Sequence, residues 1–371
     1  MTIRPRTYNK SSFSRDAWIE IDLNAIEHNF RLIRQHIKAN TKIMAVVKSD
    51  AYGHGASVIA PVLESCGADY FGVASVDEGI QLREANVKKD ILILSPTPEW
   101  CFRRAIQNNL QISISNLKTL ESLKKLSEEL KAKIQIQICL NTGMNREGVK
   151  EDAHNLIDSI LKLKNNFEIK GIFSHLAFEG DHDFSFTQQK NLLTILKNFK
   201  DKDLGLIHLG ASPSLINKDL NFDMLRIGIA LYGLGNAIPN LKPALSLYAR
   251  LTLIQKLKKQ EGVGYDLNWK AEKDSLIGLL PLGYADGIKR GLSNKIELSY
   301  KGQLFKQIGN ISMDQTTVDL TDLKPIPEIG DTITLIGNEL KVSDWAKILN
   351  TIEYEIVCDL RTRLPRVYVR N

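Results

Sequence analysis

A lysine at the end of an apolar run is the first residue in this sequence that could do covalent chemistry. Lys48 directly follows the run IMAVV, inside the string AVVKSDAYGHG. Most lysines are solvated surface charges, and the chain carries 49 lysines and arginines. A lysine whose stem begins in a buried strand can instead have a depressed pKa, which provides the free amine that imine formation requires. Tyr52, Gly53, His54 and Gly55 then predict a tight turn that lets the backbone approach a ligand closely.

The elements that must position Lys48 alternate between strand-like and helix-like segments from about residue 40. Short apolar runs rich in β-branched residues are typical of strands buried on both faces, and amphipathic stretches lie between most of them. The predicted strands are 42–47, 70–75, 91–95, 110–115, 133–140, 168–176, 205–211 and 224–233. Eight strand–helix units predict an α/β fold with an N-terminal (β/α)8 TIM-type barrel. A doubly wound open sheet is the alternative.

Loops after the seventh and eighth strands of such barrels commonly bind a phosphate group. Ser212 in GASPS, and Gly228 and Ile229 in RIGIAL, occupy these positions. Either segment alone is more simply explained as a turn. A buried lysine that faces a phosphate site across a barrel mouth is more specific, because a pyridoxal phosphate enzyme needs both an imine-forming amine and a phosphate anchor.

Three further candidates lie at predicted strand ends, where the reactive residues of barrels cluster. Arg146 follows the fifth strand, His175 ends the sixth and Arg226 lies in the eighth. The ordinary interpretation of His175 is a core histidine bonded to a backbone carbonyl. Arginine is almost never fully buried without a partner, so Arg226 in an apolar strand predicts a nearby acceptor.

The pattern changes near residue 242, where short alternating strands such as 274–282, 294–302 and 331–337 replace long helices. We therefore predict a barrel domain over 1–242 and a mostly-β C-terminal domain over 243–371. Residues 18–37 predict a strand followed by a helix, and this strand, at about 17–22, could join the β-rich domain.

Bulk properties argue against several classes of protein. The net charge of +6 is spread over the sequence, which does not favour a nucleic-acid binder, and no apolar run is long enough to cross a membrane. The cysteines at 66, 101, 139 and 358 are widely separated, which indicates reduced thiols and no metal site. Residues 1–18 have some features of a transit peptide, but Pro5 and the lack of an apolar face argue against one, so we expect a cytoplasmic protein.

Several strings resemble the alanine racemase family, within the fold-type III pyridoxal phosphate enzymes. The distinctive AVVKSDAYGHG is followed, in order, by NTGMNREG, GIFSHLA, RIGIALYG, GVGYD, LGYADG, MDQ, TIEYEI and RTRLPRVY, so the resemblance extends from Trp18 to Tyr368. It implies a pyridoxal 5'-phosphate-dependent isomerase that interconverts L-alanine and D-alanine through an external aldimine. It also implies that the D-alanine supplies peptidoglycan synthesis.

The resemblance assigns the chemistry to two bases. Lys48 matches the imine-forming lysine, which also serves as the base for the D-enantiomer. Tyr265, in GVGYD, matches the base for the L-enantiomer, which the family takes from the β domain of a second subunit, and this implies a homodimer. Unperturbed lysine and tyrosine pKa values lie near 10, so both bases need tuning by neighbours. Arg226 matches the arginine that faces the pyridine nitrogen, with His175 as the neighbour that holds it; because arginine keeps its proton, that nitrogen stays unprotonated.

The remaining matches bind the cofactor phosphate or the substrate. The phosphate contacts are Tyr52, Ser212, Gly228, Ile229 and Tyr354. The substrate residues are Arg146, which meets the substrate carboxylate and the phenolic oxygen of the cofactor, Met313 through its main chain, Asp314 and Tyr284. Tyr284 and Tyr354 also form the aromatic pair that narrows the entrance, which favours a small side chain such as that of alanine.

The sequence departs from the family pattern near Arg146. The family usually has an acid where Asn141 stands, and often a carbamylated lysine where Cys139 stands. We therefore expect a bound chloride or another polar contact to orient Arg146 in place of that anion. Ala211 and Asn310 replace a common asparagine and a common arginine. These changes leave the bases intact, so they affect rate and substrate breadth more than reaction class.

Three alternatives stay open at this point. A related racemase could act on serine, lysine or several amino acids. A non-catalytic pyridoxal phosphate-binding protein would need neither a β domain nor Tyr265, yet this chain has both. A decarboxylase of the same fold type would lack the GVGYD tyrosine in this context.

Overall fold

The computed structural model describes residues 16–177 and 182–370. They form two compact units: one contains 16–25, 52–54 and 243–370, and the other contains 26–51 and 55–242. The segment compared above with a transit peptide lies almost entirely outside the described residues. Within the described part of the chain, no helix combines the length and the apolar character needed to cross a membrane.

The strands, in chain order, are β1 (Ala17–Asp22), β2 (Lys42–Val46), β3 (Tyr70–Val73), β4 (Asp90–Ile93), β5 (Leu110–Ile114), β6 (Ile134–Cys139), β7 (Phe167–Phe173), β8 (Leu206–His208), β9 (Met224–Ile227), β10 (Leu245–Arg250), β11 (Leu253–Leu257), β12 (Ser275–Leu280), β13 (Glu297–Tyr300), β14 (Gln303–Lys306), β15 (Thr316–Asp319), β16 (Thr332–Ile336) and β17 (Arg366–Val369).

The α-helices are α1 (Leu23–His36), α2 (Lys48–Tyr52), α3 (Ala56–Cys66), α4 (Val76–Glu84), α5 (Phe102–Gln107), α6 (Leu117–Leu130), α7 (Ala153–Lys162), α8 (His182–Leu196), α9 (Val342–Leu349) and α10 (Glu353–Asp359). Only α2 departs from right-handed geometry in its interior, as described below.

Strands β2 to β9 form the predicted barrel, with all neighbours parallel and the order β8-β7-β6-β5-β4-β3-β2-β9. The ring closes between β8 and β9, where Asp223 N–H donates to the Ile207 carbonyl at 3.0 Å and Arg226 N–H donates to the Gly210 carbonyl at 3.2 Å. This closure excludes the doubly wound open sheet. Most strand residues are buried, which explains why the strands read as continuous apolar runs.

Inward side chains from neighbouring strands fill the barrel. One packed cluster comprises Met44, Tyr70, Leu92, Cys139, Phe173 and Met224. Two fully buried glutamines, Gln111 on β5 and Gln137 on β6, add polar groups to this apolar interior. Such groups are expected to hydrogen-bond to one another or to the site above them.

The unit that contains 16–25, 52–54 and 243–370 is mostly β structure, as predicted, and we call it the β-rich unit. Its larger sheet has the order β14-β13-β16-β10-β1-β17, and its smaller sheet has the order β11-β12-β15. Strand β1 pairs antiparallel with β10 and parallel with β17, so the first strand of the described chain lies in the β-rich unit. Two short helices, α9 and α10, lie between β16 and β17 in the sequence.

Candidate functional site

The reactive residues predicted in the barrel all lie at the same end of it. Lys48 follows β2, Arg146 follows β6, His175 follows β7, Ser212 follows β8 and Arg226 lies within β9. Because parallel strands end at one edge, their carboxyl ends and the loops after them converge there. This end of the barrel is therefore the candidate site, and we call it the barrel pole.

A left-handed turn follows Lys48 directly. Four consecutive residues, Ser49 to Tyr52, have φ between 53° and 54°. Each non-glycine residue in this conformation costs roughly 1–2 kcal/mol, so surrounding contacts must hold the turn. The sequence predicts a tight turn over 52–55, but in the structure the turn begins three residues earlier, at Ser49. Gly53 and Gly55 continue it with φ of 78° and 94°.

Arg226 is buried at the centre of the barrel pole, with only 4% of its surface exposed. Its Nη1 lies 2.7 Å from Nδ1 of His208. Its Nη2 donates to the carbonyl oxygens of Ser174 at 2.8 Å and Leu209 at 2.7 Å, and lies 3.2 Å from Nδ1 of His175. The acceptors expected for a buried arginine are thus carbonyls and neutral imidazoles, which leave its positive charge uncompensated by these partners.

Both histidines stay neutral because of this arrangement. Burial, and then the charges of Arg226, Arg146 and Lys48 in that order, together lower the pKa of His175 to about 3. Burial and Arg226 likewise hold the pKa of His208 well below its usual value. Three cations therefore act on one imidazole, which makes the barrel pole electropositive and suited to an anionic ligand.

A chain of buried side chains fixes the tautomer of His208. Arginine can only donate, so Nδ1 of His208 accepts from Arg226 and Nε2 carries the proton. That nitrogen lies 2.7 Å from Oε1 of Gln137, and Nε2 of Gln137 donates to Oε1 of Gln111 at 2.7 Å. His208 and both glutamines were not among the residues predicted from the sequence. The available signal was the alternation of glutamine and isoleucine in β6, a strand otherwise expected to be apolar.

Backbone amides gather around Ser212 after β8. The Oγ of Ser212 accepts from the N–H groups of Gly228 at 3.0 Å and Ala230 at 3.4 Å. Ile229 begins the 3-10 turn that follows β9. Gly210 has no room for a side chain, since a Cβ there would lie 2.7 Å from Leu225 and 2.8 Å from Ser214. The Ser212 hydroxyl accepts from two backbone amides and keeps its own O–H to donate, which suits an anionic group such as a phosphate.

Arg146 is held by a carboxylate of the chain itself. Its Nη2 lies 3.2 Å from Oε1 of Glu147, which is largely shielded from solvent. The expectation that chloride or another polar contact replaces the missing anion is therefore wrong. Cys139 cannot supply that anion either, because burial raises the pKa of its thiol to about 12. Asn141 instead caps its own loop, accepting from the N–H groups of Gly143 and Asn145 at 3.1 Å.

Tyr265 lies in the β-rich unit and is 70% exposed. It begins a 3-10 turn immediately after Gly264, whose φ is 69°. Asn310 holds this turn: its Nδ2 donates to the Tyr265 carbonyl at 2.9 Å and to Oδ2 of Asp266 at 3.0 Å. The departure at Asn310 therefore contacts the loop of a predicted base directly, a role that sequence alone did not indicate.

The predicted substrate residues of the β-rich unit lie in two facing loops. Tyr284 N–H donates to the Ser312 carbonyl at 3.0 Å, and Arg363 Nη2 donates to Oδ1 of Asp314 at 2.6 Å. Met313 and Tyr284 are 53% and 43% exposed. A cavity of about 650 Å³ opens beside them, lined by Gly264, Tyr265, Ser312, Met313, Asp314 and Gln315. The structure thus brings the predicted base Tyr265 together with Met313 and Asp314.

Tyr52 and Tyr354 form a second predicted group within the β-rich unit. Their ring centroids lie 5.8 Å apart. Burial, then the neighbouring Tyr354 and Cys358, raise the pKa of Tyr52, so its phenol keeps its proton and acts as a donor. Gly53 must be glycine, because a Cβ there would lie 2.4 Å from the Val357 carbonyl oxygen of α10.

Known proteins resemble this chain over both the barrel and the β-rich part. The model of the alanine racemase N-terminal domain matches residues 21–236, and that of the alanine racemase C-terminal domain matches residues 244–368. An alanine racemase of Nostoc sp. is 37% identical, over 96% of this chain and 97% of its own length.

Solved structures agree with the sequence comparison. The alanine racemase of Clostridium difficile 630 has a TM-score of 0.92 at 30% identity and covers 97% of both chains. The alanine racemase of Bartonella henselae, described with covalently bound pyridoxal phosphate, has a TM-score of 0.87 at 31% identity, over 95% of this chain and 99% of its own. Because both domain models and full-length relatives above 30% identity match, this chain belongs to the alanine racemase family.

Proposed function

We propose that this protein is an alanine racemase that interconverts L-alanine and D-alanine with pyridoxal 5'-phosphate as its cofactor. The observation that carries the proposal is the barrel pole, where Lys48, Arg146 and Arg226 converge at the carboxyl ends of parallel strands and Arg226 Nη2 lies 3.2 Å from Nδ1 of His175. An amine and two arginines at one end of a barrel suit a ligand that carries both a carbonyl and negative charge.

The residues of the barrel pole fit this cofactor. Lys48 supplies the amine, and the amides and hydroxyl around Ser212 would hold the phosphate. Tyr52 and Tyr354 would donate to the same phosphate from their phenols. Arg226 would face the pyridine nitrogen and, as it cannot lose its proton, would leave that nitrogen unprotonated. When bound, the cofactor supplies an electron-accepting ring that acidifies the Cα–H bond of the amino acid.

Racemisation needs a base on each face of the Cα atom, since one group cannot easily reach both. We propose that Lys48 Nζ moves the proton on the face used by D-alanine. Tyr265 Oη moves it on the face used by L-alanine. The high exposure of Tyr265 supports a role for it in a homodimer, where the Tyr265 of one subunit completes the site of the other.

The substrate contacts follow from charge and size. Arg146, oriented by Glu147, would bind the alanine carboxylate. The main chain of Met313, with Asp314 beside it, would close the other side of the carboxylate site. Tyr284 and Tyr354 would narrow the entrance, which limits the substrate to a small side chain. The product D-alanine would supply peptidoglycan synthesis, and rescue of a D-alanine-requiring bacterium by this gene would test that assignment.

The test of the activity is incubation of the purified protein with L-alanine in D₂O, with and without added pyridoxal phosphate. We expect D-alanine to accumulate toward an equal mixture, with deuterium at Cα. A cofactor-loaded protein that neither inverts nor exchanges alanine, while it does so with serine or lysine, would overturn the substrate assignment.

Two variants test the division of roles. Lys48→Ala should abolish the imine absorbance, whereas Tyr265→Ala should keep it, lose racemisation in both directions, and lose Cα–H exchange mainly with L-alanine. Loss of bound cofactor to the same extent in both variants would contradict separate roles. Sedimentation of the wild-type protein, and recovery of activity when inactive Lys48→Ala and Tyr265→Ala chains are mixed, would test the shared site.

A further inference from the structure

A carboxylate outside the residues assigned above joins two strand ends of the barrel pole. Glu78 lies in the first turn of α4. Its Oε1 accepts from the N–H of Ser49 at 2.7 Å, and its Oε2 accepts from the N–H of Ala74 at 2.6 Å. Ser49 follows β2 and Ala74 follows β3, so one side chain bridges the carboxyl ends of two adjacent parallel strands.

Helix capping does not account for this use of Glu78. Ser75 caps α4, since its hydroxyl accepts from the N–H of Glu78 at 3.2 Å. In an ordinary capping box the glutamate would return a bond to the N–H of the capping residue itself. Here both carboxylate oxygens instead accept from N–H groups outside the helix, at Ala74 and at Ser49. The side chain therefore serves the loop after β2 as well as the helix it belongs to.

That loop is the left-handed turn of Ser49 to Tyr52, which local backbone preference opposes. Its far end is held by Asp50, whose carbonyl accepts from Gly55 N–H at 2.9 Å and whose Oδ1 accepts from Ala56 N–H at 2.7 Å. Its near end is held by Glu78 at the Ser49 N–H, which belongs to the peptide bond joining Lys48 to Ser49. An anchor on this peptide limits rotation of the backbone that carries the Lys48 side chain.

We infer that Glu78 is a positioning residue that holds the left-handed turn and thereby aims the Lys48 amine. The inference rests on the proposed function, because it gives a reason for the strain beside the reacting lysine. Glu78 touches neither reacting atom and acts through the Ser49 peptide. Its carboxylate is suited to this task since both oxygens accept from backbone N–H groups, and bonds to a charged acceptor are the stronger kind.

The first test replaces Glu78 by glutamine, which keeps the size but turns one acceptor into a donor that opposes an N–H group. We expect kcat to fall about ten- to a hundredfold in both directions, with a smaller change in KM, because a misplaced reacting group lowers turnover more than binding. Glu84→Gln, at the exposed end of the same helix, removes the same charge and should change neither constant. Glu78→Asp keeps the charge but shortens the reach, and should behave like Glu78→Gln.

A second readout does not depend on activity. In the cofactor-free protein, amide hydrogen exchange of a peptide spanning 47–56 should speed up about tenfold or more in Glu78→Gln, with peptides from 243–370 unchanged. If the wild-type protein failed to racemise alanine, this exchange difference would still report on the turn. The two ideas can therefore fail separately.

A double variant makes the test specific to the turn. Glycine adopts positive φ readily, and the Ser49 side chain is exposed, so Ser49→Gly lowers the cost of the turn without removing a buried contact. The kcat of the double variant Ser49→Gly, Glu78→Gln should be at least about threefold higher than that of Glu78→Gln alone, because the turn then needs less support. Unchanged exchange over 47–56 in Glu78→Gln, or an unaltered kcat in both Glu78 variants, would overturn the inference.

Discussion

Replacing His175 by asparagine should reduce the loss of stability that the cofactor-free protein suffers in acid. His175 is half-buried, and its pKa falls from 6.5 to about 3, chiefly through burial and then through Arg226. Asparagine does not titrate, and its Oδ1 can take the place of Nδ1 facing Nη2 of Arg226. The substitution therefore removes the titration while keeping an acceptor for the arginine.

The sign and size follow from proton linkage. The pKa of His175 is lower in the native state than in the unfolded state, so the unfolded state binds the proton first as the pH falls. The contribution of neutral His175 to the free energy of unfolding is therefore complete above about pH 6.5 and is lost as the pH falls toward 3. At pH 5, roughly 1.5 pH units below the ordinary pKa of 6.5, a fully shielded group would lower the free energy of unfolding by about 2 kcal/mol, at about 1.4 kcal/mol for each pH unit. Because solvent reaches part of the ring, we expect about 1–2 kcal/mol for His175.

The assay compares urea unfolding of the cofactor-free wild-type protein and His175→Asn at about pH 7.5 and about pH 5, at one protein concentration. His208 is present in both proteins, so its own titration cancels in the comparison. The wild-type protein should lose about 1–2 kcal/mol more than the variant between the two pH values. Equal losses of stability in the two proteins would show that His175 is protonated in the native protein at pH 5. That result would refute the conclusion that burial and three nearby cations keep its imidazole neutral.

Three other substitutions test single contacts. Gly53→Ala should destabilise the protein by about 2 kcal/mol or more, as measured by urea unfolding. The added Cβ would lie 2.4 Å from a carbonyl oxygen of α10, and the φ of Gly53 is 78°. An unchanged free energy of unfolding would mean that α10 can move away. Asn310→Ala should lower kcat with L-alanine several-fold through loss of its bond to the Tyr265 carbonyl, while the imine absorbance stays; a lost imine would point to a general collapse. Glu147→Gln should raise KM for alanine about two- to fivefold at low salt, because Arg146 loses its carboxylate partner. Added chloride should lower the KM of this variant but leave that of the wild-type protein unchanged. A variant KM equal to that of the wild-type protein would show that Glu147 does not orient Arg146.

The barrel could be predicted because its strands are buried on both faces. Strand β2, for example, is exposed only at Lys42, so it reads as the unbroken run IMAVV. The position of Lys48 then follows from the rule that residues after parallel strands meet at one end. Strand β8 is shorter than predicted, since Leu206–His208 is followed at once by the backbone that leads to Ser212.

The conformation after Lys48 could not be predicted, because it opposes local preference. Four non-glycine residues with positive φ are held by contacts from distant segments, of which Glu78 lies 29 residues away from Ser49. His208 was missed for a related reason. Its sequence context, LIHLG, does not distinguish a histidine bonded to a backbone carbonyl from one that accepts from a buried arginine.

The contacts of Arg226 explain why the barrel pole keeps its positive charge. A carboxylate partner would hold the guanidinium more strongly, but it would cancel the field that an anionic ligand needs. Four partners of Arg226 are neutral, two carbonyls and two imidazoles, and the imidazoles remain acceptors only while they are neutral. Gln137 secures this state by accepting from Nε2 of His208, which leaves Nδ1 without a proton. These four neutral partners hold the guanidinium of Arg226 without cancelling its charge, so the charge can still attract an anionic ligand.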